Sequence, residues 1–129
     1  MSEYLFSYGT LQPGRAPAEI APAAARLRQA GAGWIRARLY DFGRYPGAIL
    51  DEDESAEIEG VVFELPDDAD FLRQLDVYEE FSPGAPEDSL FVRELHPVRL
   101  DSGGTLMCWI YLYNRDPAGA REARSRQDR

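Results

Sequence analysis

The run Thr105 to Tyr113 constrains the fold more than any other stretch of the chain. At the two-residue period of a strand, Leu106, Cys108, Ile110 and Leu112 face one way and Met107, Trp109, Tyr111 and Tyr113 the other. The aromatic face suits either a core against a helix or a pocket wall, and both readings stay open. Ile58 to Leu65, with Val61-Val62-Phe63 at its centre, reads as a second strand buried on both sides. At 129 residues and 44% hydrophobic content, the chain is sized for one domain with a single core. That domain is expected over residues 1–114. Residues 115–129 hold no large apolar side chain and are expected to form a disordered tail.

Charge and residue usage remove whole classes of chemistry. A net charge of −9 argues against nucleic acid or an anionic membrane as partner, since both are polyanions. Every basic side chain is arginine, so a lysine Schiff base and a lysine phosphate loop are both excluded. One cysteine, Cys108, and one histidine, His96, cannot build a disulfide frame or a Cys/His zinc site. Cys108 reads as a small buried hydrophobe and His96, beside Pro97, as a surface strand residue. No leader-like or membrane-spanning run is visible, which leads to the expectation of a cytoplasmic protein. No metal or organic cofactor is expected, and the oligomeric state is left as monomer or homodimer.

The chain opens on a short apolar run, Tyr4-Leu5-Phe6, that breaks at once into Ser7-Tyr8-Gly9-Thr10-Leu11-Gln12-Pro13-Gly14. Such a turn can present unpaired backbone N–H groups to a small anion, or it can be a plain connection. A short helix is expected from about Pro22 to before Gly31, and a strand with one wet face over Trp34 to Tyr40. Tyr45-Pro46-Gly47 is a turn and Ala48 to Leu50 a short strand. Asp51 to Glu57, with five carboxylates in seven residues, reads as a solvated hairpin tip. After a carboxylate cap at Asp67-Asp68, a helix is expected over about Ala69 to Glu80. A loop over Phe81 to Ser89 is long enough to act as a flap, and Leu90 to Leu100 forms a further strand, with a hairpin turn at Asp101 to Gly104.

The helix singles out one acidic residue. At 100° per residue, with Phe71 at the origin, Leu75 falls at about 40°, Leu72 at about 100° and Tyr78 at about −20°. Glu79 falls at about 80°, inside this apolar arc, whereas Glu80 falls at about 180°, on the wet side. A carboxylate on the apolar face at the helix C-terminus is disfavoured as an anion by desolvation and by the helix dipole, which raises its pKa toward that of a general base. The alternative is that Glu79, in the last turn, swings out to solvent.

Four features, Tyr8-Gly9-Thr10-Leu11, Tyr45-Pro46-Gly47, Leu75-Asp76-Val77-Tyr78-Glu79 and Trp109-Ile110-Tyr111, occur in this order. Together they resemble the gamma-glutamylcyclotransferase-like superfamily, over about residues 4–114, and most of all its short bacterial members and the gamma-glutamylamine cyclotransferases. The resemblance implies an α+β fold, a small mixed β-barrel flanked by short helices with a pocket at one end. It implies Glu79 as the catalytic carboxylate, the loop Tyr8, Gly9, Thr10 and Leu11 as the substrate-binding segment, and Tyr111 as a pocket-lining tyrosine. Phe91 departs from the family, whose members often carry a tyrosine there, although Arg93 is kept. The family's Ser/Gly-Asp-Trp ending is also missing.

The implied substrate is a small gamma-glutamyl amide or dipeptide, and the implied product 5-oxoproline. The substrate's own amine attacks its side-chain carbonyl, so the protein needs to provide no nucleophile, only a folded pose, a proton acceptor and an oxyanion site. That requirement suits a chain with one cysteine, one histidine and no lysine. The rival reading is a small-molecule binding or sensor protein on the same fold.

Overall fold

The computed structural model of the protein describes residues 2–9, 11–43, 45–53 and 55–123. In chain order it contains β1 (Tyr4–Ser7), α1 (Ala21–Ala24), β2 (Arg28–Asp41), β3 (Pro46–Leu50), β4 (Glu57–Glu64), α2 (Phe71–Tyr78), β5 (Phe91–Leu100), β6 (Thr105–Tyr113) and β7 (Arg121–Ala123), with a 3-10 turn at Pro86–Asp88. The strands run β2-β4-β1-β6-β5, and β5 returns to β2 through Gly33↔Leu100 and Trp34↔Arg99. A five-stranded barrel is thereby closed. It is mixed because β1 and β6 run parallel at Leu5↔Trp109 while the other barrel pairs are antiparallel. β3 and β7 attach outside the ring, along the second half of β2.

Alternation along the central strands sorts side chains into two cores. Phe6, Val62, Cys108, Ile110 and Leu112 fill one cluster with Val98 and Ile35, whereas their neighbours Leu5, Phe63 and Tyr111 join a second with Phe71 and Leu75 of α2. Strands β1, β4 and β6 are therefore covered on both faces, which is why they read as continuous apolar runs. The barrel is narrow. A Cβ at Gly60 would lie 2.6 Å from Phe6 Cζ, and one at Gly33, its register partner, 2.7 Å from Val98 Cγ1. Two facing glycines give these side chains their space.

Several expectations are corrected. The helix expected from Pro22 toward Gly31 has only the four residues Ala21–Ala24, because Arg28 onward pairs with β4, with an irregularity between Gln29 and Gly31. Ladder pairing there outweighs local helix preference. The acidic run is not a hairpin tip, since β2 lies between β3 and β4 and the segment crosses from one flank of β2 to the other. Arg38 holds the crossing, with Nε 2.7 Å from Asp51 and a terminal nitrogen 3.2 Å from Asp53. Asp68 closes a turn ahead of α2 by accepting from the Asp70 N–H at 3.0 Å, and Asp70 occupies the cap position without capping through its side chain.

The segment after Asn114, expected as a disordered tail, carries β7. The exposed edge of β2 at Leu39 to Asp41 provides backbone partners that need no apolar side chain, and Arg38 adds an ion pair to Glu122 at 3.2 Å. Residues 124–129 lie outside the described residues. Among the described residues, no helix is long and apolar enough to cross a membrane.

Candidate active site

The parallel strands β1 and β6 end on the same side of the barrel, where β5 begins. A cavity of about 390 Å³ opens there. Ser7, Tyr8, Gly9 and Leu11 line it from the opening loop, Tyr78, Glu79 and Glu80 from the end of α2, and Phe91 and Tyr111 from the barrel. Of the residues proposed from sequence, Tyr8, Gly9, Leu11, Glu79 and Tyr111 thus meet at one cavity, while Thr10 lies outside the described residues. His96 and Cys108 do not line it. Cys108 is inside the barrel, where burial pushes its thiol up to about 12.

The opening loop is held against the β3 turn. A Cβ on Gly9 would sit 3.3 Å from Pro46 Cγ, and one on Gly47 would sit 2.7 Å from Phe42 and 3.0 Å from Tyr113 Cβ. This is the physical content of the Tyr-Pro-Gly sequence: the turn packs too closely for a side chain. Gly47→Ala is expected to press on the Phe42–Tyr113 ring stack, whose centroids are 4.0 Å apart, and to destabilise the protein by roughly 1–3 kcal/mol. A lowered urea midpoint at unchanged m-value would measure it.

The two tyrosines are fixed by different partners. The Tyr8 hydroxyl donates to the Tyr111 carbonyl and accepts from the Ala48 N–H at 3.2 Å. Its hydrogen bonds therefore tie β3 and β6 to the opening loop, and what it offers the cavity is its ring. The Tyr111 hydroxyl donates to Asp76 Oδ1 at 2.7 Å. Asp76 is 4% exposed and takes a bidentate pair from Arg93 at 2.7 and 3.1 Å. Arg93 lies over the Trp109 ring, 4.2 Å from its centroid. Sequence reasoning missed Asp76 as a site residue. The available signal was its place three residues before Glu79, which puts both on neighbouring parts of one helix face.

Phe91 packs edge-on against Tyr45 and Tyr113, with both centroid distances 5.6 Å. The strand thus presents an apolar ring where the resemblance led to a hydroxyl.

Helix α2 ends by bending sharply at Glu80. Glu80 adopts φ +57°, the Glu80 N–H donates to Val77 O at 3.2 Å and the Phe81 N–H to Asp76 O at 2.9 Å. These two bonds with a left-handed residue form a Schellman ending built on a glutamate instead of the usual glycine. The bend leaves Glu79 lining the cavity and Glu80 exposed at its mouth. Among the described residues no hydrogen bond or ion pair reaches the Glu79 carboxylate. Burial, and then the adjacent charge of Glu80, push its pKa up to about 7. Burial followed by the charge of Glu79 also raises the pKa of the Tyr8 phenol, and burial and the bond to Asp76 raise that of Tyr111. Both phenols stay protonated. Glu80→Gln is expected to lower the pKa of Glu79 from about 7, a change that carboxyl-carbon NMR titration would read directly.

The family described as gamma-glutamyl cyclotransferase, AIG2-like, matches residues 5–128. The chain belongs to this family. A gamma-L-glutamyl-butirosin B gamma-glutamyl cyclotransferase from Niallia circulans is 34% identical over 113 residues, covering 87% of this chain and 67% of that protein. Solved structures with the same fold include an AIG2-like protein from mouse (TM-score 0.70, 19% identity, 96% of this chain and 87% of the other). YkqA from Bacillus subtilis aligns with TM-score 0.66 and 21% identity over 88% of this chain, which spans only 36% of YkqA. Membership of this family makes the protein a cyclotransferase-type enzyme on a β-barrel with few short helices.

Proposed function

We propose that the protein cyclises a gamma-glutamyl amide or dipeptide to 5-oxoproline and releases the amine, with Glu79 as general acid and base. The observation that carries this reading is a half-buried carboxylate without a partner among the described residues, lining the same cavity as Tyr8, Gly9 and Leu11, with its pKa raised to about 7. Near neutral pH such a group takes a proton in one step and returns it in the next.

In the proposed sequence the substrate lies folded, so that its α-amine faces its own side-chain carbonyl carbon. Glu79 accepts a proton from the α-ammonium, and the freed amine forms the new C–N bond while the carbonyl oxygen gains charge. Backbone N–H groups between Gly9 and Leu11 are assigned to the substrate's anionic oxygens. Glu79 then delivers its proton to the leaving nitrogen as the old C–N bond breaks, and the second ammonium proton moves to the departing amine. Tyr111, held by Asp76, and the ring of Tyr8 confine the glutamyl stem. The N. circulans relative carries a gamma-glutamyl substrate in its name, which supports the same substrate class here.

The test is incubation of the purified protein with a panel of gamma-glutamyl amines and dipeptides, assaying 5-oxoproline. Product formation with kcat/KM rising through about pH 7, as expected for a base whose pKa is about 7, supports the reading. Binding across the panel without any product would turn it toward the sensor reading.

A further inference from the structure

The hydroxyl of Tyr111 has one proton, and the fold has already committed it. Tyr111 Oη donates to Asp76 Oδ1 at 2.7 Å. Asp76 takes N–H bonds from Arg93 on both carboxylate oxygens, at 2.7 and 3.1 Å, so toward Tyr111 it acts only as an acceptor. What Tyr111 Oη still has to offer is lone pairs. The proton of Tyr8 is turned away in the same sense, to the Tyr111 carbonyl.

Asp76, in the last turn of α2, and Glu79, at its C-terminal cap, are three residues apart, a spacing that puts side chains next to one another on one helix face. A hydroxyl anchored on Asp76 is therefore held beside Glu79. In agreement, the charge of Glu79 adds to burial and to Asp76 in raising the pKa of the Tyr111 phenol. Tyr111 and Glu79 both line the cavity, whose described lining includes no arginine or histidine, in a chain that has no lysine. A carboxylate beside a phenol oxygen whose own proton points elsewhere suits a ligand with several N–H donors on one atom. An ammonium group has three.

We propose that Tyr111 Oη is a second acceptor for the substrate's α-ammonium, beside Glu79, and that Asp76 makes it one by holding the phenol proton away from the ligand. This inference rests on the site of the cyclisation proposed above. Once Glu79 has taken one proton, the amine keeps two N–H bonds. Donating one of them to Tyr111 leaves the nitrogen lone pair free for the side-chain carbonyl carbon. A substrate carboxylate in the same place would meet lone pairs, so it turns toward the backbone N–H groups of the opening loop. Asp76 touches no substrate in this arrangement. It is a positioning residue that acts through Tyr111.

The experiment compares two unreactive ligands by calorimetry at pH 8, above the value of about 7 that Glu79 reaches. S-butyl-homocysteine sulfone carries the α-ammonium but no carbonyl to attack, and 4-(butylsulfonyl)butanoate is the same chain without the amine. Tyr111→Phe removes the hydroxyl and keeps both the Asp76–Arg93 pair and the bond from Tyr8 to the residue-111 carbonyl. It is expected to weaken the amino ligand about tenfold, the loss of a hydrogen bond to a charged group, and to leave the desamino ligand within about twofold. In the wild-type protein with ring-labelled tyrosine, the Tyr111 phenol-carbon resonance is expected to shift with the amino ligand only. Equal weakening of both ligands, an amino ligand indifferent to the hydroxyl, or a resonance that moves alike with both overturns the inference. Cyclisation is read separately, as 5-oxoproline from gamma-glutamyl-n-butylamine. Its formation beside any of those results leaves cyclisation intact, whereas its absence with the Tyr111-dependent preference present overturns cyclisation and supports ammonium recognition.

Discussion

Glu79→Gln is expected to abolish 5-oxoproline formation and, at pH 8, to make the protein more stable. Both effects come from one fact, the burial of this carboxylate. Removal of a general base typically costs 10²- to 10⁴-fold in rate, and amide nitrogen cannot replace it as a proton acceptor. The stability effect follows from linkage. The folded-state pKa of Glu79 is raised from 4.5 to about 7, so between these values the unfolded chain has released a proton that the folded protein still holds. Stability therefore falls as pH rises through this window and levels off above it. The full loss corresponds to about 3 kcal/mol. Glutamine carries no charge to desolvate, so the variant escapes the loss at pH 8 and gains little at pH 4. Thermal melts of both proteins at the two pH values, alongside the 5-oxoproline assay, measure it. A variant that keeps its activity would remove Glu79 from the chemistry, whereas a melting-temperature gain equal at both pH values would remove the buried charge as the cause.

The second large effect is expected at Asp76, which sits outside the proton transfers. Asp76→Ala leaves Arg93, only 14% exposed at its side chain, without its bidentate partner and leaves the Tyr111 hydroxyl without its acceptor. Removing one member of a buried pair costs roughly 3–5 kcal/mol, because an uncompensated charge remains. Urea unfolding would register this as a lowered midpoint. Asp76→Asn, which keeps an oxygen acceptor, is expected to fall between wild type and alanine. Since Tyr111 lines the cavity through this contact, KM is expected to rise in the asparagine variant under conditions where it remains folded. If Asp76→Ala unfolds like wild type, the Asp76–Arg93 pair is not holding α2 to the barrel.

The reading of individual segments succeeded where one physical constraint governed them and failed where two parts of the chain competed. The alternation of Thr105 to Tyr113 gave both faces of β6, because a strand covered on two sides shows its period directly. The helical arc placed Glu79 beside Leu75 and Leu72 for the same reason, and it lines the cavity. Arg28 to Ala30, by contrast, read locally as the end of a helix and became strand, since the free edge of β4 supplied partners that no local window contains. Asp51 to Glu57 had the composition of a solvated tip, and its crossing of β2 depends on a ladder and on Arg38 from another element. Asp76 escaped notice because a carboxylate at the edge of an apolar arc looks solvated until Arg93 and Tyr111 are brought to it.

What the sequence determined by itself was the inventory: strands apolar on two faces, one patterned helix ending in paired glutamates, an opening loop too tight to continue as a strand, and a chain with no lysine and little nucleophilic chemistry. These are local properties, set by side-chain size, period and backbone freedom. The helical arc set the two glutamates on different faces, and tertiary structure alone decided what each face met. Barrel closure brought the ends of β1 and β6 to the tip of α2, the left-handed bend at Glu80 left Glu79 lining the cavity they form, and burial there, with the charge of Glu80 beside it, raised its pKa to about 7. Desolvation depends on everything packed around a group, and no stretch of sequence carries that alone.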